Sequence, residues 1–587
     1  MIVLKVRRHT SEDIMKYKSQ EIRELAPEMD PLRMGMGWKV EDLEKPQIII
    51  ESTYGDSHPG SAHLNQFVEE AYQGVYENGG KAARYYATDI CDGMSQGHDG
   101  INYSLASRDM IANMIEIHVN ATSFDGGVFL ASCDKSVPAI LMGIGRVNIP
   151  SVVVTGGVME AGPDLLTLEQ IGAYSAMYQR HEITKEKLDY YKHHACPSCG
   201  ACSFMGTAST MQIMAESLGL MIPGSALMPA TSKELKEISK QAGILAVELA
   251  KKGLKARDIV TKESFENAIM VHAAISGSTN SLLHIPAIAH EFGIEIDSEM
   301  FDRMHRNAHY LLDIRPAGKW PAQFFYYAGG VPRIMEEIKS MLHLDVMTVT
   351  GKTLGENLKE LKENGFYEKC EKYLEPWHLK STDIIRPFDH PIGTNGTISI
   401  LKGNLAPQGA VVKHSAVPKE MFKAVLKARP FDCEEDAIHA VITHAIQPGD
   451  AVIIRYEGPK GSGMPEMFYT TEAISSDETL GKTIALITDG RFSGASKGPA
   501  IGHVSPEAAQ GGPIALVEEN DLIELDIPNR ILQIVGVNGE RKSLEEIEQI
   551  LNDRKTKWKP KEKKYKSGCL KIFTDSCVSP MKGGYMK

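Results

Sequence analysis

Short apolar runs alternate with helical patterns through roughly the first 370 residues of this 587-residue chain. This alternation predicts an α/β fold whose strands form a parallel sheet joined by crossover helices. Each run ends in small or polar residues and precedes a helical pattern. The clearest buried strands are predicted at residues 81–90, 126–132 and 148–157, with helices at 104–121 and 208–221.

From about residue 380 the pattern changes to short β-rich runs separated by glycine and proline turns. Such runs predict a β-rich domain, either a barrel or a sandwich. The chain is also too long for one compact core. We therefore expect an N-terminal α/β domain at residues 1–380 and a C-terminal barrel-like domain at 381–587, joined within residues 373–391.

The charge and composition favour a soluble protein of the cytoplasm over a membrane or nucleic-acid-binding protein. The net charge of -12 disfavours nucleic acid, and neither a signal peptide nor a membrane span is predicted. A basic run at residues 554–566 is interpreted as a solvated surface segment. Nine cysteines in such a chain are expected to be thiols or metal ligands.

Two clusters that combine thiols and carboxylates follow predicted strands. Cys91 and Asp92 follow the first, and Cys133, Asp134 and Lys135 follow the second. Because ligands bind at the carboxyl ends of parallel strands, two neighbouring strand ends would bring these side chains together. Thiolates suit a soft metal or iron–sulfur cluster, and carboxylates suit Mg²⁺ or Mn²⁺. Helix caps and buried cysteines are the alternative interpretation.

Three further segments carry candidate functional groups. Cys196, Cys199 and Cys202 have the C-x2-C-x2-C spacing of iron–sulfur or zinc ligands, although a complete zinc site needs a fourth. The turn GRFSGASKG is expected to expose Arg491, Ser493 and Ser496 to an anionic ligand. The loop SGSTNSLLH at 276–284 suits a carboxylate or a helix N-cap. Several histidines lie near these motifs, but none is predicted to be the base: His63, His98, His272 and His284.

With these motifs, the chain resembles the family that joins dihydroxy-acid, 6-phosphogluconate and sugar-acid dehydratases. The resemblance runs from about residue 35 to the tail and includes CDKSVPAILMG, GACSFMGTASTM, RYEGPKGSGMPEM and TDGRFSGASKGPAIGHVSPEA. Phrases such as GMGW and HIPAIAH resemble the D-xylonate dehydratase branch. The expected reaction is therefore dehydration of a sugar acid to a 2-keto-3-deoxy acid.

The resemblance also implies cofactors and residue roles. Cys133 and Cys202 match cluster cysteines of an iron–sulfur cluster, with 2Fe–2S favoured over 4Fe–4S. Asp92, Asp134, Glu466 and a carbamylated Lys135 match a Mg²⁺ site, and Ser493 matches the catalytic base. An active site between two domains and near a subunit interface implies a homodimer or homotetramer that acts on a small hydroxy acid.

The sequence departs from the family pattern at Gly60, where many members carry a third cluster cysteine in P-C-N-x-H. Cys91 is the first candidate to replace it, and Cys199 is the other. The runner-up function is the dihydroxy-acid dehydratase of branched-chain amino-acid synthesis, whose substrate has an apolar end. A non-catalytic iron–sulfur or zinc protein would not explain the TDGRFSG and GMPEM segments.

Overall fold

The computed structural model of the chain describes residues 17–494, 496 and 498–587. Residues 1–16 lie outside the described residues. They include most of the N-terminal segment for which the sequence predicts no signal peptide. Residues 495 and 497 of the glycine-rich turn also lie outside them.

A four-stranded, fully parallel sheet lies in the N-terminal half of the described chain, in the order β2-β1-β3-β4. The strands are β1 (Gln47–Ser52), β2 (Lys81–Tyr86), β3 (Gly126–Ala131) and β4 (Ser151–Thr155). The prediction of an α/β fold with a parallel sheet is confirmed. The central strand β1 was not predicted, although its side chains are all buried. The expectation that β2 is buried is wrong in part, because β2 is an edge strand whose Arg84 and Tyr86 are exposed.

Helices surround this sheet, and the strongest packing joins two of them, α4 and α11. The helices of this half are α1 (Lys18–Leu25), α2 (Met29–Gly35), α3 (Val40–Leu43), α4 (Leu64–Glu77), α5 (Asp92–Ser95), α6 (Tyr103–Thr122), α7 (Ser136–Val147), α8 (Ile171–Gln179), α9 (Lys185–His194), α10 (Thr207–Ser217), α11 (Lys233–Lys252), α12 (Ala256–Ile259), α13 (Lys262–Ala274), α14 (Ser281–Glu291), α15 (Ser298–Asn307), α16 (Gln323–Tyr327), α17 (Gly330–Glu337), α18 (Leu354–Glu363), α19 (Phe366–Glu371) and α20 (Ser381–Ile384). Both predicted helices are therefore present, as α6 and α10.

A nine-stranded mixed sheet occupies the described C-terminal half, in the order β13-β12-β11-β7-β8-β9-β10-β6-β5. Its strands are β5 (Ile398–Leu401), β6 (Gly409–Lys413), β7 (Lys423–Phe431), β8 (Asp450–Ile454), β9 (Ala485–Thr488), β10 (Ala500–Ser505), β11 (Leu522–Asp526), β12 (Ile531–Val537) and β13 (Glu540–Arg541). The sheet curls into a half-barrel. Lys402, just after β5, accepts a hydrogen bond from Leu532 N of β12 at 2.9 Å, so the two sides of the sheet approach each other. The prediction of a barrel-like, β-rich C-terminal half is confirmed.

The half-barrel carries its own buried core and several helices, three of which line the cavity described below. The helices are α21 (Glu434–Ile442), α22 (Pro459–Ser462), α23 (Phe468–Ser475), α24 (Leu480–Thr483), α25 (Leu544–Lys557) and α26 (Gly568–Ser576).

Two features of the described chain concern membrane spans and the basic run at 554–566. None of its helices combines the length and apolar character needed to span a bilayer. The basic run at 554–566 is largely exposed, and several of its lysines pair with carboxylates, as Lys561 does with Asp432 at 2.6 Å and Lys564 with Asp99 at 3.2 Å.

Candidate functional site

A cavity of about 660 Å³ is lined by residues from both halves of the chain. Seven of the eight predicted site residues line it: Cys91, Asp92, Cys133, Asp134, Cys202, Glu466 and Ser493. The eighth, Lys135, is buried behind the wall, with Nζ 2.7 Å from a carboxylate oxygen of Asp92. The cavity therefore brings together residues that are up to 402 positions apart (91 to 493).

The N-terminal half contributes its residues from loops that follow parallel strands. Cys133 and Asp134 come directly after β3, and Cys91 lies at the end of a short segment after β2. The expectation that these two strands are neighbours is wrong, because β1 lies between them. The segment after β2 crosses the end of β1, so the two clusters still meet at one edge of the sheet.

The β-rich half contributes Glu466 and the turn after β9. Glu466 and Arg491 are joined by an isolated parallel bridge, in which Met467 N donates to Arg491 O at 2.9 Å. Ser493 follows two residues later and faces the same cavity. The expectation that Arg491 is exposed is wrong, because its side chain is completely buried.

Three carboxylates form the first donor group. Asp92, Asp134 and Glu466 each offer one oxygen, and the three oxygens lie within 4.8 Å of one another. Asp92 and Glu466 are 5% and 3% exposed, so their charges are largely removed from water. Carboxylate oxygens are the ligands that Mg²⁺ prefers in proteins, so this group could hold such an ion.

Two buried cations compensate these charges. Arg491 donates to Glu466 and, at 3.3 Å, to Asp92. Lys135 contacts Asp92 at 2.7 Å and Asp134 at 3.9 Å. Burial alone would raise the pKa of Asp92, but Lys135 and Arg491 outweigh it and lower that pKa to about 2.

Asp134 behaves in the opposite way. Burial raises its pKa to about 7, and the charges of Asp92 and Glu466 act in the same direction, against the opposing effect of Lys135. The carboxylate group therefore takes up or releases a proton near neutral pH, and a cation that binds there competes with that proton.

Sulfur and nitrogen donors form the second group. One ring nitrogen of His58 and the Sγ atoms of Cys91 and Cys133 lie within 4.8 Å of one another. A hydrogen bond from the Cys133 thiol lowers the pKa of Cys91 to about 6, with further help from Met94 N and His58. The same hydrogen bond, together with burial, raises the pKa of Cys133. The hydrogen bond between the two thiols therefore favours loss of the Cys91 proton, and the thiolate is the metal-binding form of cysteine.

The three cysteines of the C-x2-C-x2-C motif do not form a group of metal donors among the described residues. Cys202 lines the cavity, and burial raises the pKa of its thiol well above the usual range. Cys196 is exposed, and neither it nor Cys199 is among the described lining residues.

Sequence reasoning missed several residues that support the site. Gln96 and Asn280 donate to the Glu466 carboxylate at 2.8 and 3.0 Å. Asn280 belongs to the loop 276–284, which was expected to bind a carboxylate. The carboxylate that Asn280 contacts is the side chain of Glu466. His58 was not predicted because the family pattern P-C-N-x-H places its histidine at His63. The position of His58 directly before Pro59 and Gly60 was the available signal.

Comparison with known proteins agrees with this arrangement over most of the chain. Residues 45–357 match the family described as dihydroxy-acid/6-phosphogluconate dehydratase, N-terminal, and residues 383–584 match its C-terminal counterpart. Together the two matches leave out only short segments at the ends and at the junction.

Several curated relatives are named dihydroxy-acid dehydratase. A dihydroxy-acid dehydratase of Ruminiclostridium cellulolyticum is 42% identical over 94% of this chain and 96% of its own length. Those of Methanosarcina barkeri and Methanothrix thermoacetophila are 42% and 40% identical, over 92% and 97% of this chain and 95% and 100% of their own lengths. The expectation of a sugar-acid dehydratase of the D-xylonate type is contradicted by these relatives, which favour the runner-up reading.

Proposed function

The chain belongs to the dihydroxy-acid/6-phosphogluconate dehydratase family and is a hydro-lyase, and we propose that it dehydrates a branched 2,3-dihydroxy acid to a 2-keto acid. This is the dihydroxy-acid dehydratase reaction of branched-chain amino-acid synthesis. The observation that carries the proposal is a single cavity whose wall holds one cluster of three carboxylates, two neighbouring thiols and Ser493.

The rest of the cavity wall supports a substrate with an apolar end. Beyond the charged groups, many lining side chains are aliphatic or aromatic: Leu168, Ile171, Phe204, Ile438, Val441, Ile442, Phe468 and Leu480. Such a wall favours an alkyl group through burial of apolar surface, whereas the additional hydroxyls of another substrate would lose hydrogen bonds to water there.

Members of this family are generally metal-dependent, and the donor groups of this chain fit two different metal centres. We assign an iron–sulfur cluster, 2Fe–2S in preference to 4Fe–4S, to Cys91, Cys133 and Cys202, because thiolates prefer soft metals. We assign Mg²⁺ to Asp92, Asp134, Glu466 and a carbamate on Lys135. Lys135 Nζ already contacts two of these carboxylates, so a carbamate there would add oxygen donors to the same group.

When bound, these centres supply Lewis acidity toward the hydroxyl that leaves and toward the carboxylate and 2-hydroxyl of the substrate. The protein supplies the base: in this proposal Ser493 removes the proton from C2. An alcohol is a weak base, so Ser493 depends on positive charge near it. Arg491, two residues earlier, holds Glu466 and Asp92 in place on the same cavity wall.

Turnover of 2,3-dihydroxyisovalerate, compared with D-xylonate in the same preparation, tests the substrate. We expect 2-keto acid formation from the first, and a clear preference for the second would overturn the assignment. Ser493→Ala is expected to lower kcat by roughly 10²–10⁴-fold while the cluster absorbance stays unchanged. Ser496→Ala, in the same turn but not among the described lining residues, is the matched control and should keep most of its activity.

We further propose that the enzyme is cytoplasmic and assembles as a homodimer or homotetramer, without nucleic-acid or membrane partners. None of the nine cysteines, all of which belong to the described residues, forms a disulfide, which agrees with a reducing compartment. Residues 25–40 present a group of large exposed apolar side chains, including Leu25, Leu32 and Met36 at 78%, 71% and 67% exposure, which supports self-association. Light scattering of the purified protein tests the oligomeric state.

A further inference from the structure

A buried histidine lies beside the two neighbouring thiols. His58 lies in the segment that follows β1. This strand lies between β2 and β3, and the segments after those two strands contain Cys91 and Cys133. It is 3% exposed, and one of its ring nitrogens is within 4.8 Å of both Sγ atoms. The imidazole is therefore the third donor of a compact group that the topology of the sheet assembles.

The two ring nitrogens of His58 have different surroundings. Nε2 lies 3.0 Å from Oδ1 of Asp89, a buried carboxylate that also accepts a hydrogen bond from Ser61 Oγ at 2.6 Å. Nδ1 is buried and has no hydrogen-bond partner among the described residues. A carboxylate on one nitrogen keeps the proton there and leaves the lone pair on the other, as in carboxylate–histidine–metal arrangements.

The surroundings of Gly60 indicate that Nδ1 is the nitrogen on the side of Cys133. A Cβ placed on Gly60 would lie 3.1 Å from His58 Nδ1 and 3.2 Å from Cys133 Sγ, so both atoms border the same small space. The absence of a side chain at Gly60 leaves that space to the imidazole. An unpartnered buried nitrogen lowers the stability of the folded protein unless another group binds it.

We infer that His58 is a protein ligand, through Nδ1, of the same metal centre as Cys91 and Cys133. This inference rests on the metal centre of the proposed function and gives its third protein ligand as His58 instead of Cys202, because His58 forms a group of donors within 4.8 Å with Cys91 and Cys133 and Cys202 does not. A neutral imidazole in place of a thiolate makes the centre less negative. Its reduction potential is then higher than that of a centre with thiolate ligands alone.

Pulsed electron paramagnetic resonance of the whole enzyme, purified without oxygen and reduced with dithionite, tests the assignment. We expect strong hyperfine coupling to a nitrogen that changes when the protein is produced with ¹⁵N-histidine. His58→Cys should abolish this coupling, retain the iron, and shift the reduction potential to a more negative value. His444→Asn is the control, because His444 is a histidine of the same cavity wall that is exposed, and its coupling should match the wild type. Asparagine suits its φ of +59°.

The isotope experiment needs no variant, so it decides the question even if His58→Cys fails to fold. A fully occupied centre without histidine nitrogen coupling would overturn the inference, as would coupling that survives in His58→Cys. Turnover of 2,3-dihydroxyisovalerate is measured on the same samples. Turnover without nitrogen coupling removes the histidine ligand and keeps the proposed function. Nitrogen coupling without turnover keeps the histidine ligand and removes the proposed function. Absence of any bound iron overturns both the histidine ligand and the proposed function.

Discussion

Replacing Arg491 with methionine is expected to destabilise the metal-free protein far more than the protein saturated with Mg²⁺. The Arg491 side chain is completely buried and binds both Glu466 and Asp92. At the 3.3 Å separation from Asp92 and an effective dielectric constant of ~20, the interaction is worth ~5 kcal/mol. Loss of one member of a buried ion pair costs about 3–5 kcal/mol, because the remaining charge is stranded. We expect the free energy of unfolding to fall by that amount without metal.

Urea unfolding followed by far-ultraviolet circular dichroism, with a chelator or with saturating Mg²⁺, measures this difference. A divalent ion on the carboxylates replaces the lost guanidinium charge, so Mg²⁺ should recover most of the stability. Arg146→Met is the matched control, because Arg146 pairs with Glu291 at 2.6 Å and Glu116 at 3.0 Å away from the cavity. The stability that Arg146→Met loses should be the same with and without Mg²⁺. A loss in Arg491→Met of only ~0.5 kcal/mol, typical of a surface substitution, or one that Mg²⁺ leaves unchanged, would refute this reasoning.

Three further outcomes are expected. A Cβ on Gly494 would lie 2.7 Å from Gly206 Cα, so Gly494→Ala should displace the backbone beside Ser493 and lower kcat by roughly 10²-fold. Gly481→Ala, with its nearest neighbour at 3.5 Å, should not change kcat in the same assay. Since burial raises the pKa of Asp134 to about 7, calorimetry should show Mg²⁺ affinity falling by up to roughly tenfold per pH unit below that value, and a constant affinity would contradict this. Burial also raises the pKa of Glu216 to about 7, so the folded state binds the extra proton. The free energy of unfolding should then fall by up to ~3 kcal/mol as pH rises from about 4.5 to about 7, and Glu216→Gln should remove this slope in urea unfolding.

Local patterns were sufficient for most of the elements. The apolar run at 126–132 became β3 and the periodic segment at 104–121 became α6, since burial of a strand or of a helix face leaves a regular trace in the sequence. The β1 strand was not predicted, although QIIIES is strongly apolar. A short apolar run without a distinctive end cannot be distinguished from a segment of a buried helix. The order of the strands in the sheet could not be predicted either. A run of apolar residues shows that a strand is buried and does not show which strand it pairs with.

The sequence by itself determined that this chain is an α/β protein with a β-rich C-terminal half, and it singled out the thiols and carboxylates that follow the strands. Only the tertiary structure decided that Glu466 lies within 4.8 Å of Asp92 and Asp134, that Arg491 is buried against them, and that His58 faces Cys133. The physical reason is that residue type and spacing report local conformation and burial. The distance between groups hundreds of residues apart depends on how the half-barrel packs against the parallel sheet.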